Sequence, residues 1–324
     1  MDVIDNIKAP VAAEIEQFNE CLRKELDNDN PLLKKAFEHM LKTTGKQLRP
    51  MLVFLSARMV GKVHDKVTRV AMALELLHTA SLLHDDVVDE SDRRRGLPSL
   101  NAFMSNQVAI LTGDYILSKS LECCADFSDD PRIFRYFSQL GQSLADGELL
   151  QIDGKDSEEL SETAYFDVIS RKTASLFSVC ARLGALAAGG SESEAERMAQ
   201  FGKLIGICFQ LRDDVFDYGT AEVGKPLGND MREGKLTLPV IYAVNHSGNE
   251  AMRALALKVR RREASAEEIR QLIDFAVSEG GLDYAQWRMK DMQGMADGLI
   301  DDTRDPAITQ ALHQFASFVA ERVF

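Results

Sequence analysis

The chain has 324 residues, enough for one large domain or two ordinary ones with a sizeable core. Its 38 basic and 51 acidic side chains leave a formal charge of −13, which excludes a general nucleic-acid or anionic-membrane surface and means that any anion must be met by a local cluster of cations. Five cysteines, odd in number and without CxxC spacing or a neighbouring histidine, argue against a disulfide framework and a zinc site and read as reduced core thiols.

The N-terminal stretch MDVIDNIKAPVAAEIEQF carries acids from its second residue and lacks the basic-then-apolar order of a signal peptide. Charges interrupt every apolar run before it reaches the roughly 18 to 20 residues that span a bilayer. A cytoplasmic protein is expected, one that an apolar substrate or product would still draw to membranes. Farther on, nearly every segment repeats apolar residues at helical spacing, as Val67, Val70, Leu74, Leu77 and Ser81 do, and no strand alternation is evident. The eight prolines fall between or near the starts of these segments, where a missing amide costs least. Ser193 with Glu196 and Ser265 with Glu268 fit capping boxes, and Glu279 to Gly281 fits a helix stop. No linker divides the chain, so the expectation is one all-α domain over residues 1–324, a bundle of about ten or more helices. The glycine-rich stretch Tyr218 to Pro239 is the exception and reads as a long functional loop.

Two clusters carry the chemistry. In LLHDDVVDESDRRRG, Asp85 and Asp89 are four apart on a helix with Asp86 beside them, so three carboxylates crowd one small volume. Taken alone this is also what a solvated acidic helix end looks like. FQLRDDVFDYG repeats the spacing at Asp213, Asp214 and Asp217, again at the C-terminal end of an apolar helix, where the helix dipole disfavours negative charge. Carboxylates without Cys or His ligands select hard cations, and Mg²⁺ prefers a few carboxylates, several waters and phosphate oxygens. Two such clusters would hold a diphosphate through the metals. Arg94 and Arg95 can donate to phosphate oxygens, with Asp92 and Arg93 as exposed neighbours. In TTGKQLRP, Gly45 lets the backbone turn and Lys46 and Arg49 present cations at a helix start, a candidate second anion site. His78 lies on the stripe of Asp85 and Asp89 two turns deeper; His84 reads as a packing or capping residue. A His-Asp phosphohydrolase centre would need further histidines at matching spacing, and none follows.

These motifs resemble the trans-isoprenyl diphosphate synthase, or polyprenyl synthetase, family. TGKQLRP, LLHTASLLHDDVVDESDRRRG, Gly113 with Asp114, Gly147 with Glu148, RKTASLF, CFQLRDDVFDYG, GKPLGND and EGKLTLP match its motifs in order over most of the chain. The resemblance implies an isoprenoid-synthase bundle around a central apolar cavity. It also implies Mg²⁺-dependent head-to-tail condensation of isopentenyl diphosphate with the cation formed when an allylic diphosphate ionises. Carried over by motif, Asp85, Asp86, Asp89, Asp213, Asp214 and Asp217 would hold three Mg²⁺ on the allylic diphosphate. Arg94, Lys172, Lys225 and Lys235 would add positive charge to it, and Lys46, Arg49, His78 and Arg95 would bind isopentenyl diphosphate. Thr173 and Gln210 would sit near the developing cation, making them, with Lys172, the catalytic set. Gln47 and Thr44 depart from the family pattern around Lys46.

Ala80 and Ser81, just before the first cluster, are small where short-chain members of the family commonly place an aromatic floor. That implies a long-chain all-trans synthase, of the kind that makes octaprenyl diphosphate, with a short-chain synthase as the alternative. The plain reading of Ala80 and Ser81 is helix packing. An accessory subunit and a terpene cyclase are disfavoured, since both aspartate motifs are intact and the second is not a cyclase metal motif. A homodimer is the inherited expectation.

Overall fold

The periodicity is realised as helix almost throughout. The computed structural model describes residues 3–42, 45–125, 127, 129–154, 157–219 and 228–321. In chain order its helices are α1 (Val3–Lys8), α2 (Ala12–Glu25), α3 (Pro31–Met40), α4 (Leu48–Val60), α5 (Asp65–Val88), α6 (Leu100–Phe103), α7 (Asn106–Ala125), α8 (Pro131–Asp153) and α9 (Glu162–Ile169). A π-turn, Ser170–Ala174, leads into α10 (Ser175–Ala187), followed by α11 (Glu192–Phe216), α12 (Asn229–Arg232), α13 (Leu238–Ser247), α14 (Glu250–Arg260), α15 (Ala266–Ser278), α16 (Gly281–Asp297) and α17 (Pro306–Glu321). No helix among the described residues is long and apolar enough to cross a membrane.

The chain divides into two compact units. The first comprises residues 1–141, 176–202 and 300–314. Its core is α5, packed chiefly on α7 and also on α4 and α2. α4 is buried on nearly every side, with Leu52, Val53, Phe54 and Leu55 fully enclosed. Each such side chain contributes about 1.5–3 kcal/mol by leaving water, so this layer anchors the helix that carries the first aspartate cluster. The second unit comprises residues 142–175, 203–299 and 315–324. There α13 to α16 enclose a core that includes Val240, Val244, Val259, Leu272, Ile273 and Tyr218, the last directly after the second cluster.

Local signals decide the helix ends, with three corrections. Ser265 and Glu268 form the expected capping box, and α15 stops at Ser278 before Gly280 at φ +74°. The other box lies two residues earlier than expected: Ser191 accepts from the Glu194 amide while the Glu194 carboxylate accepts from the Ser191 amide, and Glu196 pairs with Arg182 instead. Arg182 lies on another helix, so nothing in the local spacing reveals that competition. The glycine-rich stretch after Tyr218 holds the short helix α12; residues 220–227, Lys225 included, lie outside the described residues. After α5, Arg93–Arg94 (β1) pairs antiparallel with Leu97–Pro98 (β2), a ladder too short to show alternation.

Candidate active site

In the first unit the site begins with the β1–β2 hairpin. Arg95 at φ +50° and Gly96 at φ +80° form its two-residue loop, and positive φ at both central positions suits the right-handed twist of the flanking strands. The loop separates its arginines. Arg94 returns to α5 and grips Asp86, its Nε at 2.9 and 2.8 Å from the two carboxylate oxygens and a terminal nitrogen at 2.7 Å. Arg95 reaches Gly45, where an added Cβ would lie 2.8 Å from the guanidinium. The residue with left-handed backbone before α4 is Gln47 at φ +54°, its side-chain amide bonded to Asn19.

A cavity of about 130 Å³ is lined by Gly45, Glu75, His78, Asp86, Arg94 and Arg95 together with leucines of α2 and α5. Burial and the charges of Arg49, Arg95 and Arg94 push the His78 imidazole well below its ordinary pKa, so it is neutral and offers one N–H donor. Burial raises the Glu75 carboxyl against the pull of Arg49 and Arg95. Arg49 lies over the Phe177 ring, 5.0 Å from its centroid, and Lys46 is exposed. Thus His78 and Arg95 share one cavity, while Lys46 and Arg49 are not among its lining residues. His84 is half-buried, its Nε2 3.4 Å from an Asp114 carboxylate oxygen. Asp92 and Arg93 are exposed as expected. Asp85 and Asp89 are half-buried, and Asp86 is enclosed. Ser81 lies about 40° from Asp85 on the helical wheel, whereas Ala80 lies about 140° away and is buried.

In the second unit, a cavity of about 420 Å³ is lined by Tyr165, Lys172, Thr173, Gln210, Asp214, Asp230 and Lys235, among others. The π-turn presents Lys172 and Thr173 together, an irregularity frequent at functional sites. Lys172 forms an ion pair with Glu148 of α8. Gly147 makes that approach possible, since a Cβ there would sit 2.8 Å from the Lys172 amide nitrogen. Lys235 is 2.7 Å from Glu233. Thr173 donates to Gln210 Oε1 at 2.8 Å, Gln210 Nε2 donates to Asp214 Oδ1 at 2.8 Å, and the Tyr165 hydroxyl donates to Asp214 Oδ2.

The three aspartates of this cluster differ. Asp213 is exposed. Asp214 is enclosed, and burial, with the Asp230 charge, pushes its carboxyl up to about 8 despite the bonds from Tyr165 and Gln210. Asp217 accepts from the amides of Asn229 and Asp230 at 2.8 and 2.9 Å, closing the N-terminus of α12, and burial raises its carboxyl. Asp230 is raised to about 7 by burial and the Asp217 charge.

Among the described residues, no three Asp, Glu, His or Cys side chains gather into a metal cage. The donor chemistry nevertheless fits Mg²⁺: Asp85, Asp89 and Asp213 are carboxylates open to water at least in part, and this ion keeps water and takes substrate oxygens. Asp86, Asp214 and Asp217 are engaged by protein donors, and Asp86 and Asp214 are also the most deeply enclosed members of their motifs. Tyr165 and Asp230 escape a reading of the sequence. Tyr165 has no motif spacing to betray it, while Asp230 follows GKPLGN and carries a signal only as part of that string. The thiols are as expected: all five cysteines are free and four are buried.

A family model described as polyprenyl synthetase matches residues 30–276. Octaprenyl diphosphate synthase of Haemophilus influenzae is 34% identical over 321 residues, 98% of this chain and 97% of that protein. Polyprenyl synthase from Caulobacter crescentus, solved in complex with calcium and isoprenyl diphosphate, superposes with a TM-score of 0.90 at 29% identity over 98% of both chains. Geranylgeranyl pyrophosphate synthase from Bacteroides thetaiotaomicron superposes with a TM-score of 0.87 at 40% identity, covering 99% of this chain and 100% of that one.

Proposed function

Because the chain belongs to the polyprenyl synthetase family and is thus a prenyltransferase, we propose that it is an all-trans polyprenyl diphosphate synthase that adds isopentenyl diphosphate head-to-tail to an allylic diphosphate. The observation that carries this reading is the cavity of the second unit, where Lys172 and Lys235 stand beside the Thr173 and Gln210 dipoles and an aspartate of a DDxxD motif. Breaking an allylic C–O bond separates charge, and fixed cations beside the leaving group stabilise it. Lys172, Lys225, Lys235 and Arg94 take that role toward the departing diphosphate. Thr173 and Gln210 face the carbon cation with oxygen dipoles and carry no charge that would repel it. Lys46, Arg49, His78 and Arg95 bind isopentenyl diphosphate, and the departing diphosphate takes the final proton, so no side-chain base is needed.

In the first unit Asp85 and Asp89, with support from Asp86, and in the second Asp213, with support from Asp214 and Asp217, would each hold Mg²⁺, which would neutralise diphosphate charge as the C–O bond opens. The calcium bound in the Caulobacter crescentus relative supports a divalent cation. The chain works as one polyprenyl synthetase domain, the family match running through both compact units. The product is long, on the strength of the small Ser81 and Ala80 and of the octaprenyl relative; the 40% identical geranylgeranyl synthase favours a shorter product as the second reading. The enzyme is cytoplasmic, touches membranes through its product and pairs as a homodimer, a state for which exposed Ile110, Leu111 and Leu121 offer apolar surface. Incubation with allylic diphosphate, isopentenyl diphosphate and Mg²⁺, followed by chromatography of the dephosphorylated products, tests the reading. A ladder ending at long chains is expected; no elongated product refutes the synthase, and a ladder ending at geranylgeraniol favours the second reading.

A further inference from the structure

Thr173, Gln210, Asp214 and Tyr165 form an unbroken hydrogen-bonded chain along the wall of the second unit's cavity. The bonds in it run toward Asp214 from both ends. Both oxygens of Asp214 accept, one from the Tyr165 hydroxyl and one from the Gln210 amide nitrogen. Gln210 must then turn its oxygen toward Thr173. The Thr173 hydroxyl has one hydrogen, which it gives to that oxygen at 2.8 Å, so its lone pairs are what remain for the cavity. A hydroxyl in the opposite sense would aim its hydrogen, the positive end of the dipole, at a cationic substrate carbon.

We propose that Tyr165 is a positioning residue for prenyl transfer, setting through Asp214 and Gln210 the direction in which the Thr173 hydroxyl faces the reacting carbon. The inference rests on the functional reading above. Tyr165 occupies α9, 9% exposed, with its ring edge-on to Phe166. Its hydroxyl donates to Asp214, and a buried phenol deprived of such a partner would be costly. Without that hydroxyl, one Asp214 oxygen loses its donor and the Gln210 amide is no longer held in one orientation. The effect reaches Thr173 through Asp214 and Gln210 and leaves every lysine and arginine that faces diphosphate unaltered.

The test is steady-state kinetics of the full chain with allylic diphosphate, isopentenyl diphosphate and Mg²⁺. Tyr165→Phe keeps the ring and is expected to lower kcat about tenfold, with both KM values and the Mg²⁺ concentration for half-activation within about twofold of wild type. In a Thr173→Val background the same substitution should cost less than about twofold, because the hydroxyl it orients is gone; in Thr173→Ser, which restores a hydroxyl, the loss should return. A kcat within twofold of wild type, equal losses with and without the Thr173 hydroxyl, or recovery of kcat at high Mg²⁺ would each overturn the proposal. If Tyr165→Phe does not fold, Tyr165→Met removes the same hydroxyl and carries the same expectation in the wild-type and Thr173→Val backgrounds. A wild-type protein that makes no elongated product sinks the functional reading and this inference with it, whereas an active wild type indifferent to Tyr165→Phe sinks this inference only.

Discussion

At the end of α5 the middle aspartate of the motif, Asp86, is 1% exposed and is gripped by the guanidinium of Arg94; at the end of α11 its counterpart Asp214, 4% exposed, is held by a phenol and a side-chain amide. The two motifs share a spacing, and the spacing puts the same three residues on the same faces of their helices. What differs is the nature of the donor. A guanidinium supplies a full compensating charge in a fork that matches a carboxylate. A phenol and an amide supply hydrogen bonds without charge, and burial then drives the Asp214 carboxyl up to about 8. The same sequence motif therefore yields an ion pair in one unit and a proton-sensitive carboxyl in the other.

The largest effect should come from residues in which the clusters agree. Asp85→Ala and Asp213→Ala are each expected to lower kcat by about 10²-fold or more, as loss of a group that stabilises developing charge does, with helical circular dichroism nearly intact. Near-wild-type turnover in either at saturating Mg²⁺ would break the parallel between the clusters.

The next prediction sharpens the first cluster. Ser81 shares the face of Asp85, so Ser81→Phe should bring a ring onto that face and shift the dominant product to a much shorter chain while sparing the first condensation. An unchanged product ladder from a folded variant would remove Ser81 from the path of the growing chain. Ala80, buried and on another face, is the weaker position for such a floor.

The smallest effect separates the middle aspartates by stability. An asparagine at position 86 turns an amide N–H toward Arg94, which has only donors, and should cost about 1–3 kcal/mol. At position 214 the Tyr165 hydroxyl can switch from donor to acceptor, so Asp214→Asn should cost less, about 1 kcal/mol or below. Their pH dependence supplies a second arm. The Asp214 carboxyl binds its proton more tightly in the folded chain than at its ordinary value of 3.8. Its contribution to stability is thus complete below about pH 4 and is lost as pH rises through about 8. Thermal melting in chelator should therefore show metal-free wild type losing stability relative to Asp214→Asn between those limits. Parallel melting curves across that range would dismiss the distinction.

Much of this molecule is legible in the chain. The helical period, the Ser265 cap, the stop at Gly280 and the two DDxxD faces all follow from interactions that reach no farther than four residues, and those are written in consecutive letters. The displaced cap shows the limit: Ser193 and Glu196 have the right spacing, but Arg182 claims Glu196 from another helix. Gly45 stands out in the sequence for its conformational freedom, yet the left-handed backbone falls on Gln47, and Gly45 instead lies beside the guanidinium of Arg95, 50 residues away.

Sequence alone determined an all-helical chain carrying paired carboxylate motifs beside lysines and arginines, since amphipathic period and motif spacing are properties of the local chain. Tertiary structure decided which carboxylates are open to water and which are enclosed, and which donors meet the enclosed ones. Asp86 meets Arg94 through a two-residue hairpin, and Asp214 meets Tyr165 across 49 residues of chain. Charge state and hydrogen-bond direction depend on burial and on partners distant in sequence, and a spacing rule cannot encode those.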